Sequence, residues 1–247
     1  MFTLGPVTFH LYGLMMVLGI LAGAGVASKK DKKIWDSLLW VVGGGIIGAR
    51  IYHVIDLWGY YQQHLSEIPA VWHGGLGIFG GILGGVIGLG LYARNKQNFL
   101  KLLDAGAVGL PLGQAIGRLG NWFNQELYGL PFDSAQGNPP FWSIYIKPEN
   151  RLLEVMDFEK FHPLFAYEMI WDLIIFITII KVINNNKIKI GNGEVFLTYL
   201  GLYGLGRFFL EFLRIDPWKI GNINVAQVIS LVLVGLTLSY WLVKKRR

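Results

Sequence analysis

Four clusters of ionisable and amide side chains interrupt an otherwise apolar chain, and each is of a type that binds anions or moves protons. In Gly206-Arg207-Phe208-Phe209-Leu210-Glu211-Phe212-Leu213-Arg214, spacings of four and three predict that Arg207, Glu211 and Arg214 share one helical face. Two guanidiniums against one carboxylate leave a positive charge for an anionic ligand to balance, although Glu211 also suits the plainer role of neutralising its neighbours. In Gly117-Arg118-Leu119-Gly120-Asn121-Trp122-Phe123-Asn124-Gln125-Glu126-Leu127-Tyr128-Gly129, the arginine offers a donor fork for phosphate, the amides suit hydroxyl or carbonyl groups, and Glu126 can accept a proton. The same composition equally suits an ordinary helix exit lined with interfacial polar residues. Arg50, in Gly48-Ala49-Arg50-Ile51-Tyr52-His53, lies midway along an apolar run, where snorkelling to an interface is strained. In His162-Pro163-Leu164-Phe165-Ala166-Tyr167-Glu168, Pro163 can open a helix and Glu168 lies one turn in, as apt to pair with an arginine as to act in chemistry.

The elements that must position these groups are membrane spans. The 247 residues are 53% hydrophobic and 15% charged, with mean hydropathy +0.45. Soluble domains have roughly 45–50% apolar and 25% charged residues. The fold class expected is an all-α integral membrane protein, a single membrane domain over residues 1–247. Apolar runs long enough to span occur at about 7–28, 36–56, 74–93, 100–120, 163–183, 194–214 and 224–243, seven in all. Basic tracts at Lys29 to Lys33, Arg94/Lys96/Lys101, Lys181/Lys187/Lys189 and Lys244 to Arg247 follow spans one, three, five and seven. Every second connection is therefore basic, which predicts an outside N-terminus and a cytoplasmic C-terminus. The longest connection, 121–162, is rich in Pro, Gly, Asn and aromatics and is expected to form a small outward-facing cap with a hairpin, inserted between spans four and five. Glycines such as Gly43-Gly44-Gly45 and Gly80-Gly81 to Gly84-Gly85 are read as sites of close helix packing.

Other classes are excluded on residue grounds. The formal charge of +6 does not indicate nucleic acid, because the basic residues are scattered among short inter-span tracts. With no cysteine, the chain has neither disulfides nor a thiol nucleophile of its own. The histidines at 10, 53, 64, 73 and 162 show no paired ligand spacing, so no metal is expected. No GxSxG elbow and no phosphate-binding Gly-rich loop ending in Lys-Ser/Thr is present. The first apolar run is read as a span and not as a cleaved signal peptide, because no basic segment precedes it and Lys29-Lys30-Asp31-Lys32-Lys33 follows.

Under the predicted orientation all four clusters lie toward the outer half of the membrane. They imply an outward-facing, cationic and polar pocket suited to an amphiphile, with phosphate on the arginines and acyl tails in hydrocarbon.

The segment Gly117 to Gly129 resembles the signature of the bacterial prolipoprotein diacylglyceryl transferases, with Gly-Arg, Asn, an aromatic, Asn, Glu and Gly at these spacings. Gly5-Pro6-Val7 through His10, Tyr12-Gly13, Gly48 to Tyr52, Trp72-His73-Gly74-Gly75, His162-Pro163 with Tyr167-Glu168, and Gly206 to Arg214 are similar to that family's landmarks, in its order. The resemblance implies a multi-pass enzyme of the bacterial plasma membrane that needs no cofactor. Its implied partners are phosphatidylglycerol, the signal peptide of a prolipoprotein with its lipobox cysteine, and membrane lipids. It would move diacylglycerol to the cysteine thiol and release glycerol 1-phosphate, the first step of bacterial lipoprotein maturation.

Carried over by motif, Arg118 and Arg207 would clamp phosphate, and Asn121, Glu126 and Gly129 would shape the headgroup site. Tyr12, His10 and Arg50 would line the pocket, and Glu211 with Arg214 would hold Arg207 in register. The sequence departs from many relatives where Phe79 stands in place of a histidine favoured as the base. His73, His10 and Glu126 remain candidates, as does activation of the thiol by the field of the arginines alone. Two other classes compete. A lipid flippase would also need buried arginines, but its site should sit near the midplane. A non-catalytic assembly factor would explain the glycines and leave the ionisable clusters without a purpose.

Overall fold

A computed structural model describes residues 2–4, 7–9, 11–132 and 138–246. Helices make up 71% of it. A short hairpin, β1 (Phe2–Leu4) and β2 (Val7–Phe9), precedes α1 (Leu11–Ser28) and α2 (Lys33–Asp56). The one-turn α3 (Trp58–Tyr61) leads through two 3₁₀ turns to α4 (Ile78–Ala93), and α5 (Lys96–Asn124) follows at once. The connection after α5 contains β3 (Ile144–Tyr145) and β4 (Lys160–Phe161), paired antiparallel. It is followed by α6 (Leu164–Asn184) and α7 (Glu194–Leu210), then a hairpin of β5 (Lys219–Ile220) with β6 (Ile223–Asn224), and finally α8 (Val225–Lys245).

Five helical segments are long and apolar enough to cross a membrane: α1, α2, α5, α7 with its following turn (Glu194–Leu213), and α8. Helix α4 has 16 residues, and the 21 residues of α6 carry Glu168, Asp172 and Lys181. Leu39, Ile47, Ile82, Leu83 and Leu236 all face outward, at least 60% exposed. A soluble chain would aggregate through such faces, whereas hydrocarbon solvates them. The chain is thus a mostly helical, multi-pass membrane protein.

Since lipid gives helices no hydrophobic reason to associate, close backbone approach has to do that work. Helix α1 packs on α5 through Gly19 and Gly23 against Gly109 and Gly113, and α2 packs on α4 through Gly44 and Gly48 against Gly80 and Gly84. A Cβ at Gly19 would lie 2.5 Å from the Gly113 carbonyl oxygen, and one at Gly44 would lie 2.5 Å from that of Gly84. Larger residues would force these pairs apart.

The basic end of the bundle is fastened by two buried carboxylates. Asp104 of α5 accepts from the backbone N–H groups of Gly191, Gly193 and Phe196 at 2.8–3.0 Å, capping the start of α7 from a distant part of the chain. Glu194 accepts from the Tyr240 hydroxyl at 2.9 Å and pairs with Lys244, tying α7 to α8. On the same end, Asp31 pairs with Lys101 at 2.9 Å. Burial would raise the Asp31 carboxyl, but the hydrogen bonds and charges of Lys101 and Lys33 outweigh it and hold the group below its ordinary value.

Candidate functional site

Three helix ends converge opposite the basic end: the close of α5, the opening of α6 and the close of α7. Arg118 lies six residues before the last residue of α5, about 9 Å along its axis at 1.5 Å per residue. Glu168 lies just beyond the first turn of α6, and Arg207 sits in the last turn of α7. Antiparallel neighbours bring these depths to one level. Glu168 then bridges both arginines, with Oε2 2.7 Å from Arg118 Nη2 and Oε1 accepting from Arg207 Nη1 at 3.1 Å. Arg207 also reaches Glu211 Oε2 at 2.5 Å, and Asn224 donates to the other Glu211 oxygen at 3.3 Å.

Asp172, 3% exposed and one turn beyond Glu168, faces the same small cavity. That cavity is lined by Arg118, Glu168, Trp171, Asp172, Tyr203, Arg207 and Leu210 and has a volume of about 10 Å³. This is room for one water molecule. Among the described residues, Arg118 Nε, Glu168 Oε2, Asp172 Oδ2 and Glu211 Oε2 are buried without a hydrogen-bond partner, the two glutamate oxygens being held by ion pairing to the arginines alone. Two guanidiniums therefore meet three carboxyl groups, so the centre is not the cationic pocket expected from the sequence. If every group is ionised it carries one net negative charge.

Local packing accounts for the fit. Trp171 donates its indole N–H to the Leu202 carbonyl at 3.0 Å and packs against Gly206, where any Cβ would collide with the ring. Glycine beside Arg207 thus lets α6 and α7 approach closely enough for Glu168 to reach the guanidinium.

The end of the centre is closed by a backbone clasp. Gly129 N–H donates to the His162 carbonyl at 2.8 Å, Leu130 N–H to the Leu213 carbonyl at 2.8 Å, and Phe165 N–H to the Leu127 carbonyl at 3.0 Å. A Cβ on Gly129 would stand 2.8 Å from the Leu213 carbonyl oxygen, so this strand of loop needs glycine to pass between α6 and α7.

Other residues singled out in the sequence fall around this centre or away from it. Asn121, buried, shares the Arg118 face of α5 and donates to Glu126 Oε1 at 2.9 Å, so these two shape the helix exit by binding each other. Tyr12 packs over Gly120, whose Cβ would meet the ring at 2.8 Å. Arg214 corrects the expected three-residue face. The α-helix stops at Leu210, a 3₁₀ turn takes residues 211–213, and Arg214 is extended, 3.4 Å from Asp216. It does not brace Arg207, which Glu168 and Glu211 hold instead.

Arg50 belongs to another place. It is 7% exposed, and its guanidinium donates to the carbonyls of Glu67, Ile68, Gly74 and Gly75 at 2.6–3.1 Å, with Tyr61 beneath at 5.2 Å. None of these bonds reaches the Arg118 and Arg207 centre. His73 is exposed on this same connection, with its edge against Trp72 at 6.0 Å. Phe79 packs between Tyr52 and Trp218. His10 lies outside the described residues.

Sequence reasoning missed Asp172 and Tyr203 and left Glu168 undecided. The available signal was spacing: Asp172 follows Glu168 by four, and Tyr203 precedes Arg207 by four, each pair on one helical face.

The bundle defines a helical membrane protein with a partly buried arginine–carboxylate centre set one to two turns below one helix end. Residues 1–243 match the family described as prolipoprotein diacylglyceryl transferase, and the chain belongs to that family. It is 38% identical over 257 residues to the phosphatidylglycerol–prolipoprotein diacylglyceryl transferase of Nostoc sp., covering 99% of this chain and 89% of that one. Similar matches are the enzymes of the same name from Clostridioides difficile, 39% identical with 100% and 96% coverage, and Fervidobacterium nodosum, 37% identical with 97% and 82% coverage.

Proposed function

We propose that this chain is a transferase that moves the diacylglyceryl group of phosphatidylglycerol to the thiol of the lipobox cysteine of a prolipoprotein. The products are a thioether and glycerol 1-phosphate, in the first step of lipoprotein maturation. Helices α1, α2 and α4 to α8 are read as seven spans of the bacterial plasma membrane, with the N-terminus and the cap of residues 121–162 outside and the C-terminus in the cytoplasm. The alternation of basic connections supports that orientation. It puts the arginine centre in the outer half, on the side where a secreted prolipoprotein presents its cysteine.

The chemistry asks for what the centre offers. A thiolate attacks the glyceryl carbon that bears the phosphodiester, and negative charge grows on the departing phosphate. Guanidiniums fixed in a water-poor site stabilise that charge, and their planar forks match phosphate oxygens. Arg118 and Arg207 take that role. Asn121, Glu126, Gly129 and Tyr12 shape the approach to it, and the lipid tails stay in hydrocarbon. Glu211 keeps Arg207 in place.

The observation that carries this reading is the pair of partly buried arginines held by buried side-chain carboxylates at one shared helix end. Carboxylates occupy the positions that phosphate oxygens would take. The displacement to one end also favours a transferase over a flippase, which needs a site opening to both sides.

The test is transfer by the purified protein in phosphatidylglycerol micelles, with lipobox peptides bearing Cys or Ser at the acceptor position. A thioether product and released glycerol phosphate with the Cys peptide alone are expected. A folded wild type that makes no product in micelles but moves lipid between the leaflets of phosphatidylglycerol vesicles would overturn the reading.

A further inference from the structure

The centre presents two difficulties for the reaction: its arginines are already paired, and the acceptor thiol lacks a base. One residue resolves both. We propose that Glu168 takes the thiol proton and that the phosphodiester, by replacing Glu168 on Arg118 and Arg207, frees it to do so. This rests on the transferase reading above.

Glu168 spans both guanidiniums with its two oxygens, at 2.7 and 3.1 Å, as two phosphodiester oxygens would. The cavity beside it, about 10 Å³, cannot admit a phosphate in addition. Charge points the same way. Glu168, Asp172 and Glu211 against Arg118 and Arg207 leave no positive surplus, so another anion enters only if a carboxylate yields. Glu211 is the poorer candidate to leave, being pinned by Asn224 as well as by Arg207. Glu168 has only the two arginines, and Arg118 Nε stands beside it as a buried donor with no partner among the described residues.

A buried carboxylate stripped of its counter-charges is driven to take up a proton, because desolvation penalises the charged form. The groups facing Glu168 sharpen that tendency. Asp172, one turn along α6, has a buried oxygen with no hydrogen bond. Tyr203 of α7 is neutral, and the arginines of α5 and α7 are by then occupied by phosphate. Of the rival bases within the described residues, Glu126 is bonded to Asn121 and His73 is exposed on another connection.

The step balances. The S–H proton passes to the Glu168 carboxylate, and the sulfur electron pair forms the bond to the glyceryl carbon. The carbon–oxygen bond to phosphate breaks, and its electron pair leaves on the phosphate oxygen held by Arg118 and Arg207. When glycerol phosphate departs with the proton, Glu168 returns to the arginines.

Glu168→Gln keeps the size and can still accept from a guanidinium, yet takes no proton. With the full-length protein in phosphatidylglycerol micelles, kcat at pH 7 is expected to fall about 100-fold, the usual scale for a lost general base. The KM for phosphatidylglycerol should stay level or drop, since the competing carboxylate is gone. Raising the pH to about 9, past the free thiol pKa near 8.5, should recover the variant at least tenfold relative to wild type. Glu168→Asp, which retains the acid, should keep a wild-type-shaped pH profile and serves if the glutamine variant folds poorly. The proposal is overturned by a Gln variant with near wild-type kcat at pH 7, by a loss that alkaline pH does not restore, or by alkaline rescue in Asp172→Asn instead. A wild type that makes no product would overturn the transferase reading as well, whereas an active wild type indifferent to Glu168→Gln would overturn this assignment alone.

Discussion

Arg50, buried, and the pair Arg118 with Arg207, partly buried, all lie in apolar helices, but they are satisfied in opposite ways. Arg50 donates to four backbone carbonyls of the connection between α3 and α4. Those acceptors are fixed parts of the chain, so the arginine organises a loop and has little left to offer a ligand. Among the described residues, Arg118 and Arg207 pair with the side chains of Glu168 and Glu211 alone. A side chain can rotate away where a carbonyl cannot, so the second arrangement can exchange its anion. Charge is alike in the two regions and Arg50 is the more deeply buried, so the kind of acceptor and the partial exposure together distinguish a structural arginine from one available for binding.

The comparison breaks or holds on substitution. Arg118→Ala and Arg207→Ala should each lower transfer about 100- to 1,000-fold, the scale for removing one preorganised donor from a developing oxyanion, while helix content and the protease resistance of the connection between α3 and α4 are retained. Arg50→Ala should do the reverse. With four carbonyls losing their donor, stability should fall by about 3 kcal/mol, and the connection between α3 and α4 should become sensitive to protease in the folded protein. If Arg50→Ala instead stays as stable as wild type and loses only phosphatidylglycerol affinity, Arg50 is a ligand arginine and the distinction fails.

The smallest effect concerns the clasp over the centre. Desolvation holds the His162 imidazole below its ordinary value of 6.5. The unfolded chain therefore takes the proton first, and stability should decline as pH falls through 6.5 toward the lower folded value. Thermal melts between pH 7.5 and 5 should show this drift in wild type and in Arg50→Ala equally, and lose it in His162→Gln. A drift that vanished with Arg50→Ala would mean that the two regions are coupled and not independent.

Much of the architecture was legible in the chain itself. The apolar runs placed α1, α2 and α4 to α8 within a few residues of their observed ends, because a helix in lipid must satisfy its own backbone and therefore declares itself by length and hydropathy. Gly44, Gly80 and Gly84 were rightly read as packing sites, whereas Gly43 meets nothing within 4 Å and the close contact of Gly48 went unread. The sequence also named Arg118 and Arg207, since a charge within such a run has few uses.

What it did not contain was the partnering. Glu168 could be assigned to either arginine or to neither until α5, α6 and α7 were set side by side, and the face expected for Arg214 vanished when α7 ended at Leu210. The positive surplus expected of the centre was lost for the same reason. A count along one helix found two arginines against one carboxylate, while the packed bundle brought Asp172 and Glu168 in from another helix. Residue types and local periodicity are properties of the chain alone, but the sum of charges in a pocket depends on which helices meet, and only the tertiary structure decides that.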